Sequence, residues 1–445
     1  MAECAAMSAL QRIVAAIVLS LVVLGVGFVA LNAAGVPIGL GTNASAEPSL
    51  VPSASASPPD SAEPSAEASA SAAPDEEELL AQLAEIEAEV IAIRGLEAAG
   101  IGPPDIITRA ELGDELQELF DEEYPPEERE EDNLALRALG LLTEDQDVAE
   151  LQLQLLGDQV LGFYDDVEKR MVVVTDAGLD VAAMVTYAHE YTHALQDAAF
   201  GLDSLETDAE GADDRSLART ALIEGDATIT MVAWAIANLS QEELVEIGTT
   251  PVPSMEGIPS WMVNQLQWPY TAGQLWVSSI AGGNPLEPQF REIDAAYADP
   301  PDSTEQVIDV EKWELREAPV AVEVPDLAAA LGDDWQEVDD TPMGQATIGF
   351  ILEHFGANRD AATEAAEGWG GDRVRIASGP EGAFAVAWRS SWDTAEDATE
   401  FASAYETVIT RLPFPAVVLA PSADEVLIVH ASDDAILRQI IDAAD

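Results

Sequence analysis

Two histidines and a glutamate near the middle of the chain have the spacing of a metal site. The segment His189-Glu190-Tyr191-Thr192-His193 separates its two imidazoles by one helical turn. Side chains so placed lie on one face of a helix, where they can bind a single Zn²⁺. Glu190 lies beside the first imidazole and can act as general base toward a water on the metal. The alternative is a buried, metal-free histidine pair, which is costly without hydrogen-bond partners.

The residues around this motif predict the helix that must position it. Asp180 can cap the helix at its start, and Gly201 is suited to end it. Between them, residues that could face a core recur at helical spacing, at Val181, Met184, Val185, Ala188, Thr192 and Leu195. We therefore expect one continuous helix that carries both imidazoles.

A candidate third ligand, Glu224, lies in a second predicted helix at residues 216–236, which is otherwise apolar. An acidic residue in such a helix needs a partner. Glu224 follows His193 by about thirty residues, enough chain for a loop and a return onto the first helix. Three protein ligands would leave the open fourth position that catalysis requires. The alternative is a buried ion pair between Glu224 and Arg219 or Arg215.

The pattern His189-Glu190-x-x-His193 followed by Glu224 resembles the gluzincin branch of the zincin metallopeptidases, which includes thermolysin and the zinc aminopeptidases. The resemblance covers residues 155–237. It implies a zincin-like core in which His189, His193 and Glu224 bind Zn²⁺ and Glu190 acts as the base. It also implies hydrolysis of a protein or peptide substrate.

The chain departs from this pattern beside the third ligand. Thermolysin-like enzymes carry an aspartate one turn after the glutamate ligand, where it bonds the first histidine. Here that position is Thr228 and the nearest acid is Asp226, so the group that orients His189 stays open. The soluble part also resembles a family of poorly characterised, membrane-anchored bacterial metallopeptidases. The residues that carry this likeness are 162–165, 189–197, 224–228 and 300–306.

Tyr270 is a candidate donor to the oxyanion, because gluzincins usually place a tyrosine or histidine there. The alternative is a packed tyrosine whose hydroxyl is satisfied elsewhere. Farther along, Ser303 is predicted to cap a helix, with Gln306 closing a capping box. This segment could line the cleft or brace it.

Two strands are predicted directly before the motif helix, at residues 159–164 and 170–174, with an acidic turn at 165–168. An extended peptide could pair with the free edge of such a hairpin and so bring its scissile bond to the metal. The alternative is an ordinary hairpin that packs on the helix. Both can hold together.

Composition narrows the function classes. The chain has 445 residues and a net charge of −66, from 84 acidic and 18 basic residues, which argues against nucleic-acid binding. The acidic surface indicates either salt adaptation or a basic substrate. Cys4 is the single cysteine, so any metal must be held by histidine and carboxylate side chains.

The first part of the chain predicts a membrane tether. Residues 13–31 are apolar and uncharged, long enough to span a bilayer, and Arg12 precedes them. This favours a cytoplasmic segment at residues 1–12 and places the rest outside the cytoplasm. A cleaved signal peptide is the alternative, with a site at residues 44–46. Residues 42–74 are rich in Ser, Ala and Pro and predict a disordered linker.

The remaining chain predicts three parts and a predominantly helical α+β fold. Residues 75–150 form an acidic helical region, residues 151–315 the metallopeptidase core, and residues 320–445 a small α+β domain. His354 and His430 in the last part are expected to be structural. An acidic loop at residues 202–215 is solvated or, alternatively, binds calcium.

Taken together, the sequence predicts a membrane-tethered, extracytoplasmic zinc peptidase that does not bind nucleic acid. One alternative is a non-catalytic envelope module, a sensor or binding domain with a structural or vestigial zinc. Another is a zinc hydrolase that acts on a non-peptide amide. The sequence leaves the oligomeric state, the cleavage preference and the choice between endo- and exopeptidase open.

Overall fold

The computed structural model describes residues 76–113, 120, 124–156, 160–205, 213–249, 255–283 and 288–444. The predicted membrane helix, the linker, and the middle of the acidic loop at residues 206–212 lie outside these residues. The fold is α+β, as expected, and its strands form two separate sheets.

The helices are α1 (Glu76–Arg94), α2 (Pro126–Ala138), α3 (Val148–Leu156), α4 (Val181–Phe200), α5 (Asp213–Asn238), α6 (Gln241–Thr249), α7 (Ser260–Ile280), α8 (Phe290–Ala298), α9 (Thr304–Ile308), α10 (Val310–Leu315), α11 (Leu327–Leu331), α12 (Gly344–His354), α13 (Arg359–Ala366), α14 (Ala395–Ile409) and α15 (Asp434–Ala444). The strands are β1 (Asp105–Ile107), β2 (Gly162–Asp165), β3 (Arg170–Val174), β4 (Gln336–Thr341), β5 (Trp369–Ser378), β6 (Phe384–Trp392), β7 (Ala416–Leu419) and β8 (Glu425–Ala431).

The small sheet has the order β1-β3-β2, with β1 parallel and β2 antiparallel to β3. The predicted hairpin is confirmed, although its first strand is β2 rather than residues 159–164. Alternate residues of β3 enter different cores, since Val172 and Val174 face one cluster while Met171 and Val173 face the cluster around α4. In this order β2 is an edge strand, and it packs against α4, the helix that carries the imidazole pair.

Helix α4 forms as its sequence predicts. The Asp180 side chain accepts a hydrogen bond from the Ala183 N–H, and Gly201 adopts the left-handed conformation at the end of the helix. Helix α1 packs on α4 and α5 through Leu79, Leu83, Ile86 and Val90, which recur at helical spacing. It ends at Arg94, within the acidic helical region predicted at residues 75–150.

Helices α5 and α7 cross in direct backbone contact. A Cβ on Gly225 would lie 2.5 Å from the carbonyl of Gly273, and a Cβ on Gly273 would overlap the carbonyl oxygen of Ala221. Two residues without side chains are therefore needed where the helices cross. This crossing brings Tyr270 of α7 toward Glu224 of α5.

The large sheet is antiparallel, in the order β4-β5-β6-β8-β7. Along β6, Val386 and Trp388 face the core shared with α12 to α14, while Ala385 and Ala387 face α11 and α15. Strand β5 begins at Trp369 and takes in two glycines, where its register with β6 is irregular. The polar edge strand β4 and the short β7 were not predicted.

The N-terminal helical region does not pack as one body. Helix α1 belongs to the cluster around α4, whereas α2 and α3 pack into the cluster of the large sheet. Helix α2 begins at Pro126 and ends at Ala138. Helix α3 follows it and was not predicted.

Candidate metal centre

The three predicted ligands meet between α4 and α5. His189 and His193 lie one turn apart, with ring centroids 4.6 Å apart and ring planes nearly perpendicular. One carboxylate oxygen of Glu224 lies 3.0 Å from Nε2 of His189 and 3.5 Å from Nε2 of His193. Two nitrogens and one oxygen thus converge on one point.

The spacing of these three atoms fits a tetrahedral metal ion. Ligand atoms held about 2.0–2.2 Å from such an ion lie roughly 3.3–3.6 Å from one another. The His189 and Glu224 side chains are buried and His193 is nearly so. Two imidazoles and a carboxylate are a donor set that Zn²⁺ prefers. His189, Glu190 and His193 also offer ligand atoms within 4.8 Å of one another.

The charges of the cluster are strongly coupled. Burial would raise the pKa of Glu224, but the neighbouring imidazoles outweigh it and lower that pKa to about 2. Burial lowers the pKa of His189 to about 4. Burial also acts to lower the pKa of His193, but Glu224 and Glu190 raise it to about 9. Glu224 is therefore held as the carboxylate and His189 as the neutral imidazole.

Glu190 is buried beneath the imidazole pair and only half satisfied. Its Oε2 accepts a hydrogen bond of 3.1 Å from the Tyr164 N–H of β2. Its Oε1 has no hydrogen-bond partner among the described residues. Burial raises the pKa of Glu190 to about 7. This oxygen keeps its capacity to accept a hydrogen bond or a proton.

Tyr270 lies against the same cluster. Its ring stacks on His189 with centroids 6.0 Å apart, and its hydroxyl bonds the Glu224 carboxylate. Burial, together with the charges of Glu224 and Glu190, raises its pKa well above the usual value. The geometry therefore makes Tyr270 a hydrogen-bond donor to Glu224. A role toward an oxyanion stays a prediction.

The predicted alternative for Glu224 is wrong. Arg215 and Arg219 both pair with Asp302, at 3.2 and 3.3 Å, and not with Glu224. These two ion pairs instead fix the start of α5 to the loop before α9.

The two histidines differ in the hydrogen bonds that orient their rings. His193 Nδ1 donates to the Oε1 of Gln196, 2.8 Å away. The Gln196 amide nitrogen donates to Asp226, which also binds Arg94 and Tyr297. Among the described residues, Nδ1 of His189 has no partner. Asp226 therefore serves the second histidine rather than the first.

The sequence reasoning missed Gln196 and Arg94. Gln196 lies three residues after His193 on the same helix, so its position on the same face was a usable signal. Arg94 lies 132 residues from Asp226 in the chain, and no local pattern could have paired them.

The other sequence predictions have mixed outcomes. Ser303 caps α9 as predicted, but the Gln306 side chain accepts from the Asp302 N–H, so the capping box is not closed. His430 is buried between the Ala138 carbonyl and the Tyr405 hydroxyl. His354 contacts Ser260. Neither histidine approaches a carboxylate cluster in the part of the chain that the structure describes.

A second group of carboxylates, Glu305, Glu317 and Asp393, surrounds Lys312. The Lys312 ammonium contacts all three at 2.7, 2.8 and 2.7 Å, so a protein cation already holds this group together. The contact to Asp393 joins α10 to the turn before α14.

One helix within the described ranges, α5, is long and apolar enough to cross a membrane. However, 72% of its most apolar stretch is buried inside the fold, as in the core helix of a globular domain. This is weak evidence for a membrane span.

Residues 333–440 match the model of a domain of unknown function, DUF8575. The matched segment begins just before β4 and ends within α15, so it covers the large sheet and not the histidine site. No curated protein matches the chain. No solved structure matches it either.

Proposed function

We propose that this protein is a zinc-dependent peptidase with a zincin-like core. One observation carries the proposal: a single Glu224 oxygen lies within 3.5 Å of Nε2 of both His189 and His193, beside a buried Glu190 with an unpartnered oxygen. Three ligands that leave a further position free, next to a carboxylate, are the minimum for metal-assisted hydrolysis. The gluzincin resemblance of the sequence supports the same reaction.

In this proposal, His189, His193 and Glu224 hold the ion. A bound Zn²⁺ supplies Lewis acidity, which polarises a carbonyl and makes water a stronger acid. Glu190 accepts the proton of the attacking water on Oε1 and delivers it to the leaving amine. The Tyr164 N–H holds the other oxygen, so the carboxylate cannot turn away from the imidazoles. Tyr270 steadies Glu224 from the far side.

The setting of the enzyme is proposed from the sequence. Residues 13–31 tether the chain to the cytoplasmic membrane, and residues 42–74 separate the folded part from the bilayer. The substrate is then a protein or peptide outside the cytoplasm. The net charge of −66 makes a nucleic-acid substrate unfavourable.

The proposal is tested by replacing Glu190, which leaves all three ligands in place. We expect Glu190→Gln in the full-length chain to slow casein hydrolysis by about 100-fold or more, because the proton acceptor is removed. Zinc per chain, measured by atomic emission, should stay at the wild-type value. Glu305→Gln is the matched control, since Glu305 is also a buried glutamate but pairs with Lys312; it should retain hydrolysis.

Hydrolysis at the wild-type rate by the Glu190→Gln chain would overturn the mechanism. Wild-type protein that holds zinc and cleaves nothing would instead favour the non-catalytic envelope module. Cleavage of a wall or small-molecule amide, with proteins untouched, would favour the third hydrolase class.

A further inference from the structure

We infer that Gln196, Asp226 and Arg94 form a positioning relay that fixes the metal-binding nitrogen of His193, with the end of the N-terminal helix as its outermost member. The inference rests on the proposed zinc site but not on peptide hydrolysis. Each of its three steps follows from hydrogen-bonding capacity.

The first step is the orientation of the Gln196 amide. The Nε2 of Gln196 lies 3.0 Å from the Ile223 carbonyl oxygen and 3.0 Å from Oδ2 of Asp226. A carbonyl and an ionised carboxylate can only accept, so the NH₂ end of the amide must face them. The oxygen end is thereby turned toward Nδ1 of His193, 2.8 Å away.

The second step is the tautomer of His193. An amide oxygen can only accept, so Nδ1 of His193 must carry the proton. In the neutral imidazole, Nε2 is then the nitrogen with the free lone pair, and Nε2 is the atom near Glu224. Gln196 therefore selects the neutral tautomer of His193 whose Nε2 can bind a metal.

The third step is the anchor of Asp226. This carboxylate is fully buried, and Arg94 holds both of its oxygens, at 2.8 and 3.0 Å. The Tyr297 hydroxyl adds a third bond of 2.9 Å. A bidentate guanidinium pair fixes the plane of the carboxylate as well as its position. Arg94 is itself steadied by Asp294, at 2.7 Å.

The relay ties α1 to the metal centre. Arg94 is the last residue of α1, and this helix follows the segment that is predicted to lead to the membrane. The side chain of Arg94 is fully buried, so it cannot leave Asp226 without moving the helix end. Zinc affinity thereby depends on a helix that contributes no ligand.

The test is zinc affinity of the full-length chain, measured by competition with a fluorescent zinc chelator. Gln196→Met keeps the side-chain length but removes the acceptor. We expect it to weaken zinc binding by about 10- to 100-fold, the usual cost of losing a group that orients a ligand. Gln306→Met is the matched control, because Gln306 is a buried glutamine with two hydrogen bonds elsewhere. It should bind zinc as the wild type does.

A second measurement separates positioning from general loosening of the fold. The chain has four histidines, so ¹⁵N-histidine spectra of the zinc-free protein can report which nitrogen of His193 is protonated. The spectra are recorded above pH 9, where His193 is neutral, because the neighbouring carboxylates raise its pKa to about 9. We then expect the Nδ1–H form in the wild type and a mixture of tautomers in Gln196→Met.

The possible outcomes are distinct. Wild-type zinc affinity in Gln196→Met overturns the relay, and so does an equal loss in Gln306→Met. Weakened affinity in Gln196→Met alone supports it, even if the wild type cleaves no peptide and the proposed function fails. A wild-type chain that binds no zinc overturns both proposals.

Discussion

Two buried carboxylates, Glu190 beneath the imidazole pair and Asp372 in the large sheet, have opposite surroundings. Asp372 accepts four hydrogen bonds of 2.8–3.0 Å, two on each oxygen, from two backbone N–H groups and two indoles. Glu190 accepts one, and its other oxygen has no partner among the described residues. Burial raises the pKa of both carboxyls.

The difference distinguishes a carboxylate that holds the fold together from one that is available to a ligand. A buried carboxylate whose acceptor capacity is filled by the protein holds neighbouring elements in place and has none left for a ligand. Asp372 ties the start of α12 to β5 and β6 in this way, through Met343, Gly344, Trp369 and Trp388. A half-satisfied carboxylate lowers stability and is retained where a reaction uses it.

Removal of Asp372 should have the largest effect on stability. We expect Asp372→Ala to lower the free energy of unfolding by roughly 3–5 kcal/mol, because four buried donors lose their acceptor. Urea denaturation measures the loss. Glu190→Gln should leave the unfolding free energy unchanged or raised, since it removes a buried charge that lacks full compensation. A larger loss for Glu190→Gln than for Asp372→Ala would invert the assignment.

The next effect in size concerns metal binding. The binding free energy of a tetrahedral zinc site is about 10–16 kcal/mol, and each ligand contributes part of it. We therefore expect Glu224→Ala to weaken zinc binding by about 100-fold or more. The chelator competition assay measures it. Glu305→Ala removes another buried glutamate, one that pairs with Lys312, and is the control that should bind zinc normally. Equal zinc affinity in Glu224→Ala and the wild type would remove Glu224 from the site.

Asp214 is a third buried carboxylate, and its hydrogen bonding is intermediate between that of Glu190 and that of Asp372. It accepts from the N–H and the hydroxyl of Thr304, and burial outweighs these bonds to raise its pKa to about 8. The folded state thus binds a proton that the unfolded chain releases above about pH 4, so stability falls as pH rises toward 8. We expect Asp214→Asn to reduce this slope by about 1.4 kcal/mol per pH unit between pH 5 and 7. An unchanged slope in pH-dependent urea denaturation would show that Asp214 is ionised in the fold.

Local signals in the sequence predicted the motif helix and the position of Glu224, but they did not predict several elements around them. The motif helix was predictable because its cap, its end and its two imidazoles are all set within one stretch of chain. Glu224 was predictable because an acid in an apolar helix needs a partner. Strand β4, by contrast, is Gln-Glu-Val-Asp-Asp-Thr and has no strand pattern of its own. It is a strand because β5 offers it hydrogen bonds.

Long-range pairing explains the other failures. Strand β1 has only three residues and exists through its parallel register with β3. The contact between Arg94 and Asp226 joins parts of the chain that no periodicity relates. The approach of Glu224 to His189 and His193 was predicted from the sequence, whereas the residues that support them could be identified only in three dimensions.

The glycine crossing between α5 and α7 has a consequence for protein engineering. Gly225 directly follows Glu224, and a Cβ added to it would lie 2.5 Å from the main chain of Gly273, three residues after Tyr270. The height of the carboxylate above the imidazoles is therefore set by two backbones in contact rather than by an adjustable side chain. A design that moves His189, Glu190, His193 and Glu224 to another scaffold must therefore also include the two glycines at the helix crossing. Without them, the two helices could not approach closely enough to hold Glu224 beside the imidazoles.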